Sequence, residues 1–251
     1  MSNKIKYLSV IILLAIAAYF FLPAFNESRL VNSLIERNLD ARGGKEAWDN
    51  VNTLKLSGRM EIGQSTHVPY VLDQQRPTKM CIEFTFDKQK TMQCSDGDKG
   101  WKSVPFRGRT KAELLTEEEF NETADAADLY GLLSRNLNST IDYVSLEQIS
   151  GQDTHKLKIT LPKGAVRYLY IDDETALEIK LETTRLVGGK ERTVTTLYSD
   201  WRDIDGLLIS HRQDTQTEGD ENSHFMTVES VEVNPTFSHM RFELPSSLRK
   251  K

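Results

Sequence analysis

Residues 76–97 read RPTKMCIEFTFDKQKTMQCSDG, and they decide the fold. Met80, Ile82, Phe84 and Phe86 recur at every second position, the mark of an extended strand with one buried face. The segment turns around Asp87 and Lys88 and returns through Met92 and Cys94, which makes it a β-hairpin. It also holds both cysteines of the chain, Cys81 and Cys94. Pairing them directly requires a two-residue loop and sets Ile82 opposite Gln93 and Phe84 opposite Thr91, apolar against polar. A three-residue loop, Asp87-Lys88-Gln89, sets Ile82 opposite Cys94 and Phe84 opposite Met92, which matches a single buried face. This second register predicts cysteines on opposite sides of the sheet and unlinked. A β-bulge that restores the pairing is the alternative.

Period-two alternation extends outward from the hairpin. Leu54, Leu56, Met60 and Ile62 precede it, as do Val68, Tyr70 and Leu72. Further strands are read at 141–148, 154–161, 166–172, 176–184, 192–201, 207–215 and 224–233. Turn residues separate them, among them Ser150-Gly151, Gly188-Gly189 and Asp205-Gly206. Leu30, Val31, Leu34, Ile35 and Leu39 keep helical spacing before Gly43-Gly44, predicting a helix over 27–42. Helical spacing also runs through Leu114, Leu115, Phe120, Leu129 and Leu133, predicting a helical insertion over 111–136. The expected fold is mainly β: a curved, incompletely closed antiparallel β-barrel of roughly eleven strands, with an N-terminal helix and a helical lid. A barrel of that size has more interior than its own side chains fill, so an apolar cavity suited to acyl chains is expected beneath the lid.

The first 25 residues carry only Lys4 and Lys6 as charges, so of the net charge of −5, residues 26–251 hold −7. That acidity disfavours phosphate backbones, and no nucleic acid is expected as a partner. The lysines precede an apolar run from Tyr7 to Leu22, too short for a comfortable span and long for a cleaved signal. Ala15 and Ala17 offer a cleavage site, while Tyr19, Phe20 and Phe21 resemble the interfacial belt of a retained anchor. Residues 1–25 are therefore expected to be a membrane anchor or signal segment, and 26–251 one exported, periplasmic domain tethered to the inner membrane.

No motif argues for catalysis. The histidines His67, His155, His211, His224 and His239 lack metal-ligand spacing, and neither a nucleophile elbow nor a phosphate loop occurs. His211 and His224 could face each other across adjacent strands, an arrangement more often a surface feature than a zinc site. Asp203-Ile204-Asp205-Gly206 lacks the glycine spacing of a calcium loop. Glu117-Glu118-Glu119 reads as a solvated helix face. No catalytic residue, metal or cofactor is expected.

Three runs in order, QRPTKMCIEF (75–84), MQCSDGDKGW (92–101) and VPF (104–106), resemble the LolA family of bacterial periplasmic lipoprotein carriers. ARGGKEAW (41–48), YIDDETALEIKLETT (170–184), YSDWRDIDGLLISH (198–211) and the segments VEVNPTF and FELP are closer to the family's wider lipoprotein-sorting relatives. The resemblance implies an incomplete barrel with a helical lid over a cavity for acyl chains or a lipoprotein, and a possible protein acceptor. It places the family's lid-controlling arginine at Arg76, and it implies that Met80, Ile82, Phe84, Met92 and Trp101 contact lipid. Plain strand geometry beside a proline accounts for Arg76 equally well, and core filling for Trp101. Met80 stands where the carrier has an aromatic residue. The alternative function is a regulatory binding module of envelope stress, a sensor built on the same fold but working through its surface.

Overall fold

The computed structural model describes residues 27–249, apart from 63–65, 106–107, 134–138, 163, 188 and 222. The N-terminal segment read as an anchor lies outside the described residues. The chain forms helix α1 (residues 27–41), α2 (Lys45–Asp49) and then six strands: β1 (Thr53–Ile62), β2 (Thr66–Gln75), β3 (Lys79–Phe86), β4 (Gln89–Ser95), β5 (Gly100–Val104) and β6 (Arg109–Leu114). Helix α3 (Glu117–Ala127) follows. Seven strands complete the sheet: β7 (Thr140–Ile149), β8 (Gln152–Thr160), β9 (Val166–Asp172), β10 (Glu178–Val187), β11 (Lys190–Ile204), β12 (Leu207–Thr217) and β13 (Ser223–Val233). The order across the sheet is β6-β5-β4-β3-β2-β1-β13-β12-β11-β10-β9-β8-β7, antiparallel throughout. Two meanders thus meet at the β1–β13 seam, and β6 and β7 remain as edges, so the barrel is open.

Among the described residues thirteen strands replace the expected eleven. The additional ones are β5 and β6; residues 111–114, expected to be helical, belong to β6. Its sequence RTKAEL is rich in helix formers, but pairing of Trp101 with Leu114 and Lys102 with Glu113 outweighs that preference.

The sheet is strongly curved, and α3 gives the measure. Thr123 accepts a hydrogen bond from Gln93 on β4 (2.8 Å), while Glu122 pairs with Arg185 on β10 (2.9 Å). Seven strand steps separate β4 from β10, about 34 Å along a flat sheet at ~4.8 Å per strand. Consecutive residues of one helix can touch both strands only if the two wings bend toward each other.

The hairpin register corrects the sequence reading. Asp87 and Lys88 both have positive φ (48° and 58°), as a tight two-residue turn requires. Cys81 therefore lies opposite Cys94, Ile82 opposite Gln93 and Phe84 opposite Thr91, and the two cysteines form a disulfide. The argument for the slipped register assumed that one face is buried and the other wet, whereas here both are covered. The Cys81–Cys94 face packs with Trp101, Phe242 and Leu244 under the C-terminal segment, whose Arg241 pairs with Asp73 and Glu83. On the opposite face, beneath α3, polar Gln93 is used: it donates to the Thr123 hydroxyl.

Two further clusters fill other parts of the concave side, one at the end where the β11–β12 turn lies and one along β8 and β9 from Ala176 to Leu161. Val31 and Leu34 of α1 pack on Leu157, Ile159, Leu169 and Ile171, and Trp48 and Val51 pack on Leu54, Leu207 and Ile209. Leu34 is fully buried, and burial of such a side chain contributes roughly 2 kcal/mol.

Candidate functional site: a lidded apolar trough

Strand pairing aligns one side chain per strand across the concave face. Leu56, Leu72 and Ile82 form one row, Tyr70 and Phe84 the next, and Met226, Met60 and Val68 another. Met60, Leu72, Ile82, Phe84, Phe86 and Met226 are all half-buried and belong to none of the three clusters just described. They make an apolar trough between the filled end and the β1–β2 and β3–β4 turns. Tyr70, fully buried among them, has its phenol pushed up to about 12 by burial, with a smaller contribution from the charge of Glu229.

Helix α3 lies over this face. Thr116 and Glu119 close its first turn with a reciprocal capping box. Glu119 also pairs with Lys102 on β5. Burial pushes its carboxyl up, but Lys102 and Thr116 outweigh that and hold it below its ordinary value. Gln74 donates to the Ala126 carbonyl (2.7 Å), and Gln93 reaches Thr123. These contacts fasten α3 to one wing, and Arg185–Glu122 fastens it to the other. The acidic run that read as a solvated face is thus partly a set of clasps.

Beyond α3 the chain is pinned by two arginines. Arg76 donates from Nε to the Val51 carbonyl (2.6 Å) and from Nη2 to the Trp48 carbonyl (2.9 Å), and its guanidinium stacks 4.3 Å over the Tyr130 ring. Arg42 donates to the Tyr130 carbonyl (2.8 Å), pairs with Glu178 (3.1 Å) and lies over the Trp48 ring. The Tyr130 hydroxyl donates to Asp49. Arg76 therefore joins α2 to the segment that carries the lid.

Of the residues expected to contact lipid, Met80, Ile82 and Phe84 share the concave face, Met80 being the most buried. Met92 and Trp101 lie on the other face, in the cluster with the disulfide, because the direct hairpin register reverses their side. Sequence reasoning missed Gln74, Gln93, Arg42, Glu122 and Tyr130. A signal was present for Gln74, which takes the next inward position after Val68, Tyr70 and Leu72. His211 and His224 do not pair: His224 lies opposite Thr215, and His211 hydrogen-bonds the Ile209 carbonyl. Among the described residues no group of His, Cys, Asp or Glu could hold a metal.

The architecture is that of LolA-like proteins. Three solved structures are similar in fold: a DUF1329 family protein from Desulfovibrio piger (TM-score 0.62, 12% identity, 87% of this chain and 99% of that one), a LolA superfamily protein from Nitrosomonas europaea (0.56, 14%, 88% and 97%), and a domain assigned to the outer membrane lipoprotein-sorting proteins from Vibrio parahaemolyticus (0.58, 10%, 84% and 97%). No family model and no curated protein matches the sequence. At these identities the likeness establishes the fold.

Proposed function

We propose that the protein is a carrier or chaperone of the bacterial cell envelope that holds the acyl chains of a lipid or lipoprotein in the trough beneath α3. The observation that carries this reading is the half-buried apolar row Met60, Leu72, Ile82 and Phe84 on the concave face, under a helix clasped by polar contacts that can be exchanged for water. The lipoprotein-sorting description of one structural neighbour supports it. Binding rather than catalysis is the function in this reading, and Arg76, by clamping Trp48, Val51 and Tyr130, controls how far the lid segment opens.

Residues 1–25 tether the domain to the inner membrane and 26–251 work in the periplasm, where an oxidising environment suits the Cys81–Cys94 bond. A protein acceptor would receive the cargo at the lid.

Titration with cis-parinaric acid, a fatty acid whose fluorescence rises in apolar surroundings, tests the binding reading. The full-length protein is expected to give a saturable rise that oleate reverses. No rise, with the fold intact by circular dichroism, would overturn the carrier reading and leave the surface-binding module.

A further inference from the structure

The wing formed by β9, β10 and β11 carries arginines on its concave face, at the end of the sheet where the β10–β11 turn lies and bordering the α1 cluster at Ile159. Arg185 and Arg192 lie directly opposite each other across β10 and β11. Like charges in that position repel, so the fold gains nothing from the pair. Arg167 on β9 is buried, lies opposite Thr183, and so sits one rung from Arg185. Its Nη1 donates to the Val166 carbonyl (3.2 Å). The carboxylate paired with Arg185 is Glu122 of the lid, while Arg192 donates to the backbone carbonyl of Glu218 (2.6 Å), whose carboxylate accepts from the Thr193 amide. The concave face here gathers three arginines beside the two glutamates Glu122 and Glu218, although residues 26–251 are acidic as a whole.

Two buried polar atoms at this place have no partner. Thr183 is more than nine-tenths buried, between Arg167 and Val194, and its hydroxyl makes no hydrogen bond; Arg192 Nε is likewise buried and unmatched. Buried donors without partners are uncommon and costly, and donors converging among arginines are what an anion would satisfy. Antiparallel pairing puts this group at the same end of the sheet as the β3–β4 turn, and α3, which touches Arg185 through Glu122 and Gln93 through Thr123, brings this wing across from that of Ile82 and Phe84.

We propose that Arg167, Arg185, Arg192 and the Thr183 hydroxyl form a headgroup site at the mouth of the trough, taking the phosphate of an acyl-bearing lipid whose chains lie along Met60, Ile82 and Phe84. The inference rests on the carrier reading and narrows its cargo to anionic phospholipid rather than a neutral diacylglyceryl group. Phosphate binding at Arg185 competes with Glu122, so a seated headgroup releases one clasp of α3 and couples loading to the lid.

Dioctanoyl phosphatidylglycerol, dioctanoylglycerol with the same chains but no phosphate, and inorganic phosphate, each titrated into the full-length protein in neutral detergent, test this. The phospholipid is expected to bind about tenfold tighter than dioctanoylglycerol, the gain of charge-assisted hydrogen bonds. Arg192→Gln removes that difference, and Glu122→Gln, which frees Arg185, preserves or enlarges it. If both lipids bind the wild type alike, the headgroup site falls and the carrier reading stands. Equal competition by inorganic phosphate would make this a free-phosphate site and overturn the lipid assignment. Binding of neither lipid removes both readings.

Discussion

Phe84→Glu is expected to give a folded protein that no longer retains an acyl ligand. Phe84 sits mid-strand on the concave face, half-buried, opposite buried Tyr70 and Thr91, with Ile82 and Phe86 two residues to either side. A carboxylate introduced there can draw water along the trough, so the cost to folding is on the order of 1 kcal/mol, a fall in Tm of about 2–4 °C for a domain of this size. Acyl binding loses far more, because the chain would have to lie against a charge. The contrasting substitution is Leu157→Glu in the filled α1 cluster, where the side chain is fully buried opposite Tyr143 and Leu169. That change buries an unpaired charge in a dry cluster and is expected to unfold the domain. Thermal melts followed by circular dichroism, with cis-parinaric acid titrations, separate the two. If Phe84→Glu collapses as Leu157→Glu does, the interior is solid core in both places.

The second large effect concerns the seam where the two meanders join. A β-carbon on Gly58 would stand 1.8 Å from the Thr227 carbonyl oxygen and 3.0 Å from the Val228 Cα, both backbone atoms of the neighbouring strand. Only glycine lets β1 approach β13 at the register shift between Ser57 and Gly58. Gly58→Ala is therefore expected to destabilise the domain by about 4 kcal/mol or more, the range of severe single substitutions. Urea unfolding of the full-length protein in detergent measures it. A midpoint unchanged from wild type would mean that the strands can part at this bulge without cost.

Much of this architecture was legible in the sequence, for a physical reason. Where one face of the sheet is apolar and the other polar, as in β2 around Val68, Tyr70 and Leu72, alternation reports directly which side is inside. The same rule misled at the hairpin, where a C-terminal segment more than 140 residues away in sequence covers the second face through Phe242 and Leu244. No local pattern announces such a long-range cover, and so the cysteine register and the sides of Met92 and Trp101 were misread. Strand β6 was hidden by its helix-forming residues and its place at the sheet's edge. Arg76 was marked by its resemblance, but its partners were not, because they are the backbone carbonyls of Trp48 and Val51, which no side-chain pattern encodes.

The central claim is that the concave face holds an acyl ligand. Mass spectrometry of the full-length protein isolated from its native membranes, first under native and then under denaturing conditions, tests it most directly. The account predicts an excess native mass that denaturation releases as phosphate-bearing lipid, together with a denatured chain still beginning at its membrane segment; a chain starting at Tyr19 would remove the tether and leave export intact. A native mass equal to that of the bare chain, or a stoichiometric protein partner with no lipid in any preparation, would contradict the carrier reading.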